Sequence, residues 1–177
     1  MKSKASVSRL VPCVLLSFIL ACGWSSPPSP LGITEKPDDF TLMDQHGNMR
    51  SLYEFKGQVI LLNISTIWCY GCNLAAMDAE ELYQEFKDRG FTYLIVLAED
   101  AAGNPPDQED LNQWADTYGL TLPLLSDPEW EASKPWIGDA EPAFHVLDRN
   151  MTIRFQKVGY NPSTDRELIR AEVMKYL

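Results

Sequence analysis

Residues 56–72 read Lys56-Gly57-Gln58-Val59-Ile60-Leu61-Leu62-Asn63-Ile64-Ser65-Thr66-Ile67-Trp68-Cys69-Tyr70-Gly71-Cys72. Gln58 to Ile64 is a nearly continuous run of apolar, β-branched side chains, the pattern of a strand covered on both faces. From Cys69 onward the pattern turns helical. Leu74, Met77, Leu82 and Phe86 fall close to one stripe, and Gly90 follows a charged last turn (Lys87, Asp88, Arg89) as a stop signal. Phe91 to Leu97 reads as a second buried strand. Strand, helix and strand in such close succession make a βαβ unit, parallel and right-handed.

The spacing of Cys69 and Cys72 carries the chemistry. Two cysteines three apart at a strand-to-helix junction put both sulfurs on one helical face, within reach of a disulfide. Cys69 stands at the helix start, where unpaired N–H groups and the positive dipole end favour thiolate over thiol. Cys72 sits one turn inside and is placed to attack a mixed disulfide formed at Cys69. Cys69 is therefore the expected nucleophile and Cys72 the resolving thiol.

Downstream, Leu111, Trp114, Ala115 and Tyr118 stand at helical spacing after Pro105-Pro106, and Gly119 closes that helix. Leu122 to Leu125 reads as a short strand. Ala143–Leu147 and Met151–Val158 read as an antiparallel hairpin around Asp148-Arg149-Asn150. A last helix starts at a capping box, Thr164 with Glu167, and turns Ile169, Val173, Tyr176 and Leu177 inward. No internal repeat or second domain is evident. The order βαβ, α, ββα is that of the thioredoxin fold.

The stretch from Lys56 to Asn63 running into Trp68-Cys69-Tyr70-Gly71-Cys72 resembles the TlpA-like branch of thioredoxin-fold proteins. These are membrane-tethered thiol–disulfide oxidoreductases facing the periplasm or cell exterior. Phe40, Leu42, Asp44, Gly47, Ser51 and Leu52 match that family's N-terminal hairpin, and Glu141-Pro142-Ala143-Phe144 matches its cis-proline segment. The likeness covers residues 37–177. It implies a thioredoxin-like α/β fold, a central mixed sheet flanked by helices with an N-terminal β-hairpin extension. It also implies a cis Pro142 facing the disulfide, Glu141 offering backbone pairing to a substrate strand, and Trp68 and Tyr70 as substrate contacts. Neither a bound cofactor nor a metal is implied. The implied partners are protein thiols or disulfides and an upstream membrane or soluble redox donor. Two departures stand out. Asn73-Leu74-Ala75 follows Cys72 where many relatives carry a base and then a proton-shuttling acid, and Asn63 stands where thioredoxin has a buried aspartate. Glu141 is left as a carboxylate whose charge would oppose the thiolate.

The first residues read differently from the rest. Lys2, Lys4 and Arg9 precede an apolar stretch, Leu10–Ala21, too short to span a bilayer comfortably. Ile19-Leu20-Ala21-Cys22 resembles a bacterial lipobox, which implies cleavage before Cys22 and lipidation of its sulfur. Residues 1–21 are thus expected as a signal peptide and residues 22–36 as a Pro/Ser-rich tether, placing residues 37–177 in the cell envelope, lipid-anchored, on the periplasmic or extracytoplasmic face. Cys13 would leave with the signal, so Cys69 and Cys72 are the cysteines available for chemistry.

Composition trims the other classes. Of 177 residues, 25 are Asp or Glu and 15 Lys or Arg, giving a formal net charge of −10 that disfavours phosphate-backbone binding. Four cysteines are too few for a disulfide-stapled mini-protein. Three rivals share the CxxC. Structural zinc would add His46 and His145, at spacings unlike a finger or ribbon. A copper-delivery module would use Cys69, Cys72 and His145. A peroxiredoxin-like peroxidase would use Thr66, three before Cys69, although the proline such enzymes carry seven before the cysteine is Leu62 here.

Overall fold

The computed structural model describes residues 32–138 and 140–177. Cys13, Cys22, the signal-like segment and the tether up to residue 31 lie outside the described residues. Within the segment expected as tether, Thr34 and Glu35 already bond the domain: the Thr34 N–H donates to the Ile153 carbonyl (2.8 Å), and the Ile153 N–H donates to the Glu35 carbonyl (2.9 Å).

A hairpin comes first, β1 (Thr41–Asp44) and β2 (Met49–Ser51), antiparallel with Leu42 opposite Arg50. Its turn is set by Asp44, whose carboxylate accepts from the N–H groups of His46 and Asn48, and by Gly47 at a φ of 81°. A 3-10 turn over Leu52–Phe55, capped by Ser51 and Glu54, leads into β3 (Val59–Ser65), buried at every residue. Then come α1 (Tyr70–Phe86) and, past a short 3-10 turn ended by Gly90, β4 (Phe91–Leu97). α2 (Gln108–Tyr118) is capped by Asp107 and stopped by Gly119. β5 (Leu124–Ser126), β6 (Ala143–Leu147), β7 (Ile153–Val158) and α3 (Asp165–Met174) complete the chain.

The seven strands form one mixed sheet in the order β2-β1-β5-β4-β3-β6-β7. β3 and β4 run parallel, with Val59 opposite Phe91 and Ser65 opposite Leu97, and β6 runs antiparallel to β3, with Asn63 opposite Phe144. On one face Val59, Leu61, Ile95, Phe144 and Val146 pack with side chains from all three helices. On the other, Ile60, Leu62, Leu94, Val96 and Leu147 pack under Leu52, Phe55, Trp136 and Met151. Burying one such aliphatic side chain contributes about 1.5–3 kcal/mol, so β3, the strand that leads into the CxxC, is firmly held on both faces. This is the thioredoxin-like α/β arrangement expected from the sequence, with the hairpin joined to the main sheet through antiparallel pairing of β1 with β5.

Two local expectations are corrected. The buried stripe of α1 is Cys72, Ala75, Ala76, Ala79 and Phe86, while Met77 is exposed and Leu74 and Leu82 are half-buried. Large apolar side chains suggested one face; the small ones face the sheet, because only they let the helix approach it closely. Thr164 precedes α3 but makes no side-chain cap bond; Asp165 instead accepts from the Asn161 N–H (2.7 Å) and pairs with Lys157 (3.0 Å). Among the described residues no helix is long and apolar enough to cross a membrane.

Candidate active site

β3 ends at Ser65 and the chain turns into α1 through Thr66–Cys69. Cys69 takes the N-cap position with extended backbone, and its sulfur accepts from the Cys72 N–H at 3.2 Å. It therefore sits where the unpaired amides of the first turn point and the helix dipole is positive, an environment suited to a sulfur anion. Cys69 and Cys72 are joined as a disulfide with a Cα–Cα distance of 5.2 Å. Cys69 keeps 7% of its surface exposed and Cys72 none. Of the two cysteines, Cys69 lies nearer the surface.

The Glu141–Pro142 peptide bond is cis. A Cβ built on Gly71 would lie 3.2 Å from Pro142 Cδ, so the proline ring lies against the middle of the CxxC turn and glycine supplies the clearance. Pro142 is buried at the head of β6, its carbonyl taken by the Gly159 N–H (2.8 Å), and Glu141 before it is half-buried. Trp68 and Tyr70, flanking Cys69 in sequence, are 51% and 78% exposed, large apolar surface beside the disulfide.

One residue that supports this face, Glu99, carried no signal of its own in the sequence. Glu99, just beyond the carboxyl end of β4, accepts the Trp68 indole N–H at 2.6 Å, while its carbonyl accepts the Ile67 N–H at 2.9 Å. The usable hint was positional: in parallel α/β sheets the functional loops gather at the carboxyl ends of the strands. Asn73 donates to the Ile67 carbonyl (3.1 Å) and accepts the Trp114 indole N–H (2.9 Å), tying the CxxC turn to α2. Beneath α1, Asn63 accepts the Ser65 hydroxyl (3.0 Å) and donates to the Tyr93 hydroxyl (3.4 Å), so both ends of its amide are bonded in a buried polar chain. Thr66 is fully buried, and its hydroxyl finds no hydrogen-bond partner among the described residues.

The metal readings do not assemble. His145 lies on β6 between Phe144 and Val146, whose side chains take the α1 face, so its ring points to the opposite side of the sheet. Its Nε2 lies 2.6 Å from the Trp136 carbonyl and its Nδ1 3.3 Å from the Gln156 amide, so Nε2 carries the proton and neither nitrogen is spare. Burial pushes its pKa down to about 4 despite the bond to Trp136. His46 sits in the β1–β2 turn. Among the described residues no group of three His, Cys, Asp or Glu side chains is placed to share an ion.

Comparison with known proteins gives this geometry its relatives. The model of the AhpC/TSA family matches residues 33–156. The thioredoxin-like protein YneN of Bacillus subtilis is 28% identical over 156 residues, covering 85% of this chain and 89% of that protein. The thiol-disulfide oxidoreductase ResA of Geobacillus kaustophilus is 23% identical over 147 residues, covering 80% of this chain and 81% of the relative. The thioredoxin domain of a thiol-disulfide oxidoreductase from Bacteroides vulgatus superposes with a TM-score of 0.68 at 19% identity, covering 82% of this chain and 98% of that one. The last likeness speaks for the fold alone. Because the family model spans most of the described domain, from the entry into the hairpin to the middle of β7, the chain belongs to the AhpC/TSA family.

Proposed function

We propose that this thioredoxin-fold thiol–disulfide oxidoreductase acts outside the cytoplasm, held to a membrane by lipid on Cys22, and passes electrons to protein disulfides through Cys69 and Cys72. The observation that carries the reading is the asymmetry of the pair: Cys69 at the helix mouth, keeping a little exposed surface, and Cys72 wholly buried one turn inside. In the reducing direction the Cys69 thiolate attacks a substrate disulfide. A Cys69–substrate S–S bond forms, the substrate bond breaks, and one substrate sulfur leaves as thiolate. Cys72 then loses its proton and attacks Cys69 Sγ, forming the protein disulfide and releasing the second substrate sulfur. Two electrons have moved to the substrate, and an upstream redox donor restores the dithiol. No bound cofactor takes part.

The exposed faces of Trp68 and Tyr70 supply apolar contact, and the backbone before Pro142 supplies pairing for an extended substrate segment. The lipobox-like Ile19-Leu20-Ala21-Cys22 supports the anchor. The reductase direction rests on the resemblance to the TlpA-like branch. The test is trapping: a Cys72→Ser chain incubated with envelope proteins is expected to accumulate mixed disulfides on Cys69, released by dithiothreitol. A Cys72→Ser chain that captures nothing, while Cys69 remains alkylatable, overturns the reading. Recovery of the partners in their dithiol form from cells that hold the intact protein, and as disulfides from cells that lack it, sets the direction.

A second reading, thiol peroxidase, is favoured by one observation, the Thr66 hydroxyl three residues before Cys69, which finds no partner among the described residues. Stoichiometric peroxide consumption by the reduced chain, outpacing its exchange with disulfides, would place peroxide ahead of protein disulfides as the substrate.

A further inference from the structure

Resolution of a mixed disulfide requires a fully buried thiol to give up its proton. The stripe of α1 that continues from Cys72 is Ala75, Ala76 and Ala79, and the polar side chain below it, Asn63, has no charge to offer. One helical turn past Cys72 begins a cavity of about 70 Å³ between α1 and α3, lined by Ala75, Ala79, Tyr93, Phe144, Tyr160 and Asp78. A water needs about 10–15 Å³ measured in this way, so several fit. At the inner end the Tyr93 hydroxyl accepts from Asn63, which leaves its own proton to donate onward. At the outer end the Tyr160 hydroxyl donates to Asp78 at 2.6 Å, and Asp78 pairs with Arg166 at 3.5 Å. The two phenols and the cavity thus run from Asn63, the polar side chain beneath α1, to one carboxylate near solvent.

We propose that Asp78, reached through the Tyr93 and Tyr160 hydroxyls and water in this cavity, takes the Cys72 proton when the mixed disulfide is resolved. The proposal rests on the exchange reading above. The Cys72 S–H proton passes to Asp78, Cys72 Sγ bonds to Cys69 Sγ, the substrate sulfur leaves as thiolate, and Asp78 later yields the proton to solvent. Burial keeps both phenols protonated well above the usual tyrosine range, helped at Tyr160 by the bond to Asp78, so they relay a proton without holding a charge. The other charged groups facing Asp78 are Glu81 and Glu85 on α1 and Arg166, Glu167 and Arg170 on α3. Of these carboxylates, Glu81 is paired outward to Arg166 and Glu85 to Arg170, and Asp78 is the one bonded to a cavity hydroxyl.

The test is a stopped-flow reaction of the reduced full chain with 5,5′-dithiobis(2-nitrobenzoate), which releases one coloured thiolate on attack by Cys69 and a second on attack by Cys72. Asp78→Asn is expected to slow the second release by about tenfold or more at pH 7, converging on the unmodified chain as the pH rises, with the first release unchanged. Tyr93→Phe slows the same phase. Arg166→Gln removes the ion pair, keeps the carboxylate and leaves the second phase fast. An unchanged second phase in both Asp78→Asn and Tyr93→Phe overturns the route, as does an Arg166→Gln chain slowed as much as Asp78→Asn, which would make the effect one of helix packing. An unmodified chain with no second release overturns instead the exchange reading on which the route stands.

Discussion

Gly71 is the smallest residue of the site and among the most constrained. Its α-hydrogen faces the Pro142 ring where a methyl would meet Cδ at 3.2 Å. Gly71→Ala must push the proline segment or the CxxC turn apart by a few tenths of an ångström. We expect insulin-reduction activity to fall by several-fold while thermal unfolding shifts by no more than about 1–3 kcal/mol, the range of modest overpacking. Full activity at unchanged stability would show that the two segments move independently. The residue types that bear chemistry were legible from sequence, because a CxxC at a strand-to-helix junction has few other uses. Glu99 was not: a glutamate in a polar loop looks like any solvated acid until folding brings it 2.6 Å from the Trp68 indole, a contact between residues 31 apart in the chain.

At the scale of elements, β3, β4 and the βαβ crossover followed directly from two apolar runs, since a strand buried on both faces needs no alternation. The face of α1 followed at Phe86 and in part at Leu82 but not at Met77, because the sequence signal weights large side chains and the packing nearest the CxxC selected small ones. Two substitutions separate the two readings. Ala76→Leu, at a fully buried position away from the α1–α3 cavity, should cost about 1–3 kcal/mol in urea unfolding. Met77→Ala on the exposed face should stay within about 0.5 kcal/mol. The reverse ranking would contradict the stripe described here. β6 also makes the stability of the fold depend on pH. His145 has a folded pKa pushed down from 6.5 to about 4 by burial, so the folded chain resists a protonation that the unfolded chain accepts. Its contribution, up to about 3 kcal/mol, is fully present above pH 6.5 and is lost as the pH falls toward about 4. His145→Gln should flatten the fall in unfolding free energy between pH 6.5 and 4; an unaltered slope would assign that fall to other groups.

For the whole molecule, the sheet order places the two sulfurs, the cis proline and two exposed aromatic side chains at one end of the central strands, while the acid-rich helices cover one face. The proposed anchor lies at the other extreme of scale, in a single cysteine. Cys22→Ser should move the chain from the membrane fraction to the soluble envelope fraction without changing disulfide exchange in vitro, and a chain that stays with the membrane would argue for a different attachment. The account as a whole depends on the helix mouth making Cys69 more acidic than an ordinary thiol. The most direct measurement is the pH dependence of iodoacetamide alkylation of Cys69 in the reduced chain, read in a Cys72→Ser background so that one thiol reports. A midpoint clearly below the ordinary cysteine value of about 8.5, with fast modification at pH 7, is the predicted result; a midpoint at or above that value would contradict it.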